Sequence, residues 1–203
     1  MKVMIDGPSG PLEASVEEGS DREAAYALIC HPHPVFGGTM DNKVVTTVAR
    51  ALNACGLSTI RFNFRGIGAS AGRYDDGRGE TEDAAAVAAW GAHRWGARAL
   101  VLAGFSFGAY VAMRLAQSLP PSRLILIAPP VGRFEFTPFG APQCPWLIVQ
   151  GDADDVVDPE AVRAWAEAHR PAARLLMLAG VGHYFHGHLV ELRDAIETEI
   201  RSG

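Results

Sequence analysis

At 203 residues, with 48% apolar and 20% charged residues, the chain is long enough for one substantial core and short for two domains. One domain over 1–203 is expected, and a chain of this size buries roughly 70% of the surface exposed when unfolded. The net charge of −5 carries no basic cluster, which argues against a nucleic-acid partner, and no apolar run reaches the ~18 to 20 residues of a membrane span.

The opening Met1-Lys2-Val3-Met4-Ile5-Asp6-Gly7-Pro8 breaks its apolar run after three residues, too soon for the apolar segment of a signal peptide. Cys30, Cys55 and Cys144 are odd in number and far apart, matching neither a disulfide framework nor a zinc spacing. They read as small core residues in a reducing cytoplasm, so a cytoplasmic location is expected. Five of the seven histidines fall in two clusters, His31 with His33 and His183 with His186 and His188.

In chain order, 2–5 and 12–16 read as strands around the turn-rich Asp6-Gly7-Pro8-Ser9-Gly10-Pro11, followed by a strand at 26–30. This is an antiparallel start. Val44, Val45, Val48, Ala49 and Leu52 then repeat at helical spacing and stop before Gly56, and 57–64 is strand-like. Ala84, Val87, Ala88, Gly91 and Trp95 mark a second helix, with Glu80, Glu82 and Asp83 near its start, where the dipole favours acids. A continuous apolar strand at 99–105 leads into a helix from 107 to about 119, stopped by Pro120 and Pro121, and then a strand at 123–128. The remainder reads as strand 146–150, helix 159–169, strand 175–178 and a closing helix with Leu189, Leu192, Ile196 and Ile200 as its stripe. Apolar strands joined by helical crossovers predict an α/β fold with a mostly parallel sheet of about eight strands, covered on both faces.

The sharpest chemical signal is Gly104-Phe105-Ser106-Phe107-Gly108, placed where a buried strand becomes a helix. A serine on such a turn is pushed clear of the sheet edge, and glycine on both sides removes side chains that would collide there. The following helix aims free N–H groups at any oxyanion formed beside Ser106. A serine hydroxyl needs a base, and the base needs an acid to orient it. Both follow on later strand ends. Strand 146–150 runs into Gly151-Asp152-Ala153-Asp154-Asp155-Val156-Val157-Asp158-Pro159, and strand 175–178 runs into Ala179-Gly180-Val181-Gly182-His183. Loops at the C-terminal ends of parallel strands share one edge, so the three segments can converge. Asp158, just before Pro159, reads as a helix N-cap; Asp152, Asp154 and Asp155 remain, with Asp154 preferred and Asp155 the main alternative.

The first histidine cluster opens the loop His31-Pro32-His33-Pro34-Val35-Phe36-Gly37-Gly38. An oxyanion needs two N–H donors, and proline has none to give. The backbone N–H of His33 is therefore paired with that of Phe107 as the expected oxyanion hole, while the imidazoles of His31 and His33 read as supports for the loop.

With these segments the chain resembles the α/β-hydrolase superfamily. The resemblance rests on the elbow at Ser106, the acid loop, His183-Tyr184-Phe185-His186-Gly187, the opening His31-Pro32-His33-Pro34 with Gly37-Gly38-Thr39-Met40-Asp41-Asn42-Lys43, and Arg61-Phe62-Asn63-Phe64-Arg65-Gly66-Ile67-Gly68-Ala69-Ser70. It is closest to small bacterial serine hydrolases related to dienelactone hydrolases and spans nearly the whole chain. The resemblance implies a Ser-His-Asp hydrolase with Ser106, His183 and Asp154 in the matching positions. Dienelactone hydrolases proper use a cysteine nucleophile, so lactone specificity does not carry over to Ser106.

Between Ala128 and Trp146, where many members insert a lid, five prolines forbid a regular helix, and an uncapped site is expected. Phe134, Phe136 and Phe139, with Phe36 from the oxyanion loop, are candidates for an apolar mouth that takes an acyl or aromatic group; the alternative is that they cover the sheet edge. Arg65 reads as a loop anchor, His186 and His188 as packing or capping residues, and Trp90, Trp95 and Trp165 as core. The expected activity is cleavage of a carboxylic ester or thioester through an acyl-enzyme on Ser106, with no cofactor and no metal. Its competitors are acyl transfer or peptide cleavage by the same residues, a metal site built from the histidines, and a scaffold that binds without catalysis.

Overall fold

The computed structural model describes residues 1–21, 25–96 and 98–202. Its centre is one eight-stranded sheet of order β1-β2-β4-β3-β5-β6-β7-β8. β1 (Lys2–Gly7) and β2 (Gly10–Glu17) form the antiparallel start, and β2 also pairs antiparallel with β4 (Ser58–Phe62). From β4 onward every pairing is parallel, through β3 (Tyr26–Cys30), β5 (Leu100–Phe105), β6 (Arg123–Ile127), β7 (Trp146–Gly151) and β8 (Ala173–Leu178). The central strands are buried throughout because both faces are covered.

Alternation along each strand divides the core in two. On one face Leu28, Leu102, Leu126 and Ile148 pack against α2 (Arg78–Trp95), α3 (Phe107–Leu115) and α4 (Pro159–Glu167). On the other, Ile29, Ala103, Ile127 and Val149 meet α1 (Lys43–Ala54) and α5 (Leu189–Arg201). α1 starts where Asn42 accepts a hydrogen bond from the N–H of Val44, and its stripe of Val44, Val45, Val48, Ala49 and Leu52 is buried. α4 is capped by Asp158, whose carboxylate accepts from the N–H of Glu160 at 3.0 Å.

α2 begins at Arg78, which puts Glu80, Glu82 and Asp83 in its first turns as the acid pattern predicts, and Glu80 and Asp83 are buried and fully employed. Glu80 accepts from the N–H groups of Asp75 and Gly77, and Asp83 takes a bidentate pair of bonds from Arg65 at 2.9 and 2.8 Å. α3 ends at Leu115, and the chain reaches the prolines through turns in which Ser118 and Leu119 donate to Leu115.

β3 and β5 are neighbours whose onward connections leave in opposite directions, to β4 on one side and β6 on the other. The crevice at the C-terminal ends of such a pair is where an open parallel sheet presents a ligand site. The histidine-proline loop follows β3 and Ser106 follows β5. No helix or strand lies between Ile127 and Trp146, so this edge carries no lid. Among the described residues no helix is long and apolar enough to cross a membrane.

Candidate active site

Ser106 sits between β5 and α3 with φ 53° and ψ −121°, a backbone conformation that costs a non-glycine residue about 1–3 kcal/mol. Its surroundings enforce that geometry: its N–H donates to the carbonyl of Ile127 at 2.8 Å, and its own carbonyl accepts from Ala109. The flanking glycines are needed for contact. A methyl on Gly104 would land on the backbone of Gly108, and one on Gly108 would land on the carbonyl of Cys30, so α3 could no longer lie against β3 and β5.

His183, on the loop after β8, is 3% exposed, and its ring rests on Phe105 at 5.2 Å. Its Nδ1 lies 2.8 Å from Asp154 Oδ2 and its Nε2 3.1 Å from Ser106 Oγ. A carboxylate can only accept, so Nδ1 carries the proton and the Nε2 lone pair faces the serine hydroxyl. Asp154, and not Asp155, makes this bond; Asp155 is exposed and Asp152 instead accepts from the N–H of Gly180 at 2.7 Å, pinning the histidine loop. Gly151 permits the same approach, since a methyl there would meet the carbonyl of Val181.

Asp154 is held from both sides. Its Oδ1 accepts from the N–H groups of Val156 and Val157, each at 2.8 Å, and its Oδ2 accepts from Gln150 Nε2 at 3.0 Å as well as from His183. Burial by itself would raise its pKa, but the bonds from His183, Val157 and Val156 together outweigh that cost and hold the carboxyl below its ordinary value. It therefore remains an anion. Gln150 is wholly buried at the end of an apolar strand, and nothing in the periodicity of β7 marks it as a partner of the acid; its polarity inside that run is the only signal.

Across the crevice, the histidine-proline loop closes on a single 3₁₀ turn at Pro34–Phe36. His33 accepts from the N–H groups of Phe36 and Gly38 through its carbonyl and from Val35 through Nδ1. A methyl on Gly38 would strike the carbonyl of Pro32. The ring of His33 packs on Phe107 at 4.9 Å and on Tyr74 at 5.0 Å, with the Tyr74 hydroxyl 3.2 Å from Nε2. The N–H groups of His33 and Phe107 have no acceptor among the described residues, which leaves two donors for a ligand beside Ser106.

A cleft of about 340 Å³ opens on Ser106 and is lined by His33, Phe36, Phe107, Phe134 and Arg133, among others. Phe36 is 82% exposed at its rim. Phe136 and Phe139 do not reach the cleft: Phe136 is buried against Trp165 and Phe139, and both belong to a neighbouring cavity. The mouth expected from four phenylalanines thus gathers two of them, because the proline-rich segment turns at Val131–Phe134 and carries its later residues away over α3 and α4. Arg133, Val156 and Val157 line the cleft without having been singled out by the sequence.

The other marked residues have structural partners. His31 is enclosed between Pro32 and Phe64, and His188 pairs with Glu191 at 2.9 Å. Arg65 anchors its loop through Asp83. The described residues contain no group of three or more histidine, cysteine or acidic side chains placed to hold a metal ion.

Known proteins share this fold. The family model described as serine aminopeptidase S33 matches residues 33–141. A lidless α/β serine hydrolase from Xanthomonas campestris is 44% identical, with a TM-score of 0.93, over 100% of this chain and 94% of that one. An α/β serine hydrolase homologue from Coxiella burnetii is 46% identical, with a TM-score of 0.94, over 98% and 96% of the two chains. An uncharacterized protein of Rickettsia prowazekii is 35% identical over 167 residues, 80% of this chain and 70% of that protein. On its sequence, its sheet order and its uncovered edge alike, the chain belongs to the α/β serine hydrolases, among their lidless members.

Proposed function

We propose that the protein is an esterase that cleaves a carboxylic ester or thioester through an acyl-enzyme on Ser106. The observation that carries this reading is the unbroken line of hydrogen bonds from Asp154 through His183 to Ser106. In the proposed cycle His183 Nε2 takes the hydroxyl proton as Ser106 Oγ attacks the acyl carbon. The carbonyl oxygen, now an anion, is received by the N–H groups of His33 and Phe107. Asp154 stabilises the imidazolium, which hands its proton to the departing alcohol or thiol. Water, deprotonated by His183, then releases the acid. No cofactor is required.

The matched family is described by an aminopeptidase, and peptide cleavage would use the same three residues. An aminopeptidase must also hold the substrate's α-ammonium, however, and the residues lining the cleft include Arg133 but no carboxylate. The lining favours an uncharged apolar acyl group over a free amino terminus.

A fluorophosphonate probe tests the reading, since it traps only a serine activated by its neighbours. Labelling of the native protein and its loss in Ser106→Ala are expected. A native protein that stays unlabelled would favour a scaffold that binds without catalysis.

A further inference from the structure

Beside the Ser106 cleft lies a second cavity of about 310 Å³, walled by Phe136, Phe139, Trp165 and His169, with Thr137 at its edge. Among the described residues, Phe134 is the one that lines both spaces. Its ring stands between them, 5.4 Å from Phe107 on the Ser106 side and 4.8 Å from Tyr110. Behind it Trp165 packs on Phe136 at 5.1 Å and on His169 at 5.2 Å, so the far wall is aromatic and fixed to α4.

The half of the substrate that faces this partition follows from the proton path. A leaving group must lie beside His183 to collect its proton, and His183 does not line the cleft, whereas Ser106, His33 and Phe107 do. The cleft is therefore the acyl side, and an acyl chain too long for about 340 Å³ meets Phe134 next.

Resting on the esterase reading above, we propose that the second cavity is a subsite for the far end of a long acyl chain and that Phe134 sets the acyl-length preference by partitioning it from the cleft. The occupant is an apolar chain, because Phe136, Phe139 and Trp165 line the space beyond Phe134. Each methylene that enters gains roughly fourfold in kcat/KM.

The test compares kcat/KM for p-nitrophenyl acetate, butyrate, octanoate and dodecanoate, read as the ratio of long to short chains within each protein. Circular dichroism checks that each variant is folded. Phe134→Ala joins the two spaces and should raise the octanoate-to-butyrate ratio at least tenfold over wild type. Phe134→Leu, which keeps an apolar contact with Tyr110, should move it the same way by a smaller step. Adding Thr137→Trp to Phe134→Ala refills the second cavity and should return the ratio towards wild type. An unchanged ratio in folded, active Phe134 variants would overturn the subsite while leaving the esterase intact. No hydrolysis of any of the four esters by wild type would overturn the esterase reading, and the subsite with it.

Discussion

His31 and His183 are both buried histidines with both ring nitrogens engaged, yet their partners give them opposite capacities. His31 follows β3, its Nδ1 2.6 Å from the carbonyl of Pro32 and its Nε2 accepting from the N–H of Phe64 at 3.0 Å. Both partners are backbone groups and neither can take or give a proton. Burial pushes its pKa down to about 4, against an opposing pull from the Pro32 carbonyl. A second ring proton would point at the N–H of Phe64. His183 sits between a carboxylate and a hydroxyl instead, so in the proposed cycle a proton arriving at Nε2 comes from Ser106 and is met by the charge of Asp154. Partner chemistry, more than burial, separates a structural histidine from a proposed base.

The largest expected effect removes the group His183 serves. Ser106→Ala should abolish ester hydrolysis and keep the thermal stability of the fold, and wild-type turnover in that variant would dissolve the contrast. Asp154→Asn should follow, lowering kcat by roughly 10³–10⁴. An amide NH₂ facing Nδ1 turns that nitrogen into an acceptor and aims an Nε2 proton at Ser106, giving His183 the wrong tautomer. A loss under tenfold would mean that Asp154 does not govern the ring.

His31 makes stability depend on pH. Its folded pKa lies below the ~6.5 of an unfolded histidine, so the unfolded chain binds a proton first as pH falls. The contribution is complete above about pH 6.5, is lost as pH falls towards 4, and amounts to at most about 3 kcal/mol. Urea unfolding across this range should show the decline in wild type and a flatter profile in His31→Gln. Equal slopes would show that His31 titrates normally. The smallest effect belongs to the second cluster's half-buried His188: His188→Ala breaks a pair with Glu191 whose partners are 33% and 55% exposed, and should change stability by less than about 0.5 kcal/mol without altering kcat.

The same contrast explains how much could be read before the fold was known. Strand and helix order, the elbow at Ser106 and the order of acid and base follow from apolar periodicity and glycine placement, which are local. Asp154 was preferred over Asp155 but separated from it only by a bond to a residue 29 positions away. Gln150, Tyr74 and Arg133 were missed because their roles exist only once β7, the 3₁₀ loop and the proline-rich segment converge. Glu80 and Asp83 were legible as acids in the first turns of α2, but their burial among Gly77, Asp75 and Arg65 was not. Phe136 and Phe139 carry the right chemistry for a binding wall, but the turn at Phe134 takes them into the second cavity.

In the proposed mechanism Ser106 becomes covalently acylated with His183 as its base. Rapid-quench mass spectrometry of the protein turning over p-nitrophenyl acetate measures this directly. A protein gaining the mass of one acetyl group, localised to the peptide that carries Ser106 and absent in Ser106→Ala, is the predicted result. Steady release of nitrophenol with no adduct at Ser106 on any quench time, and with the same rate in Ser106→Ala, would contradict it.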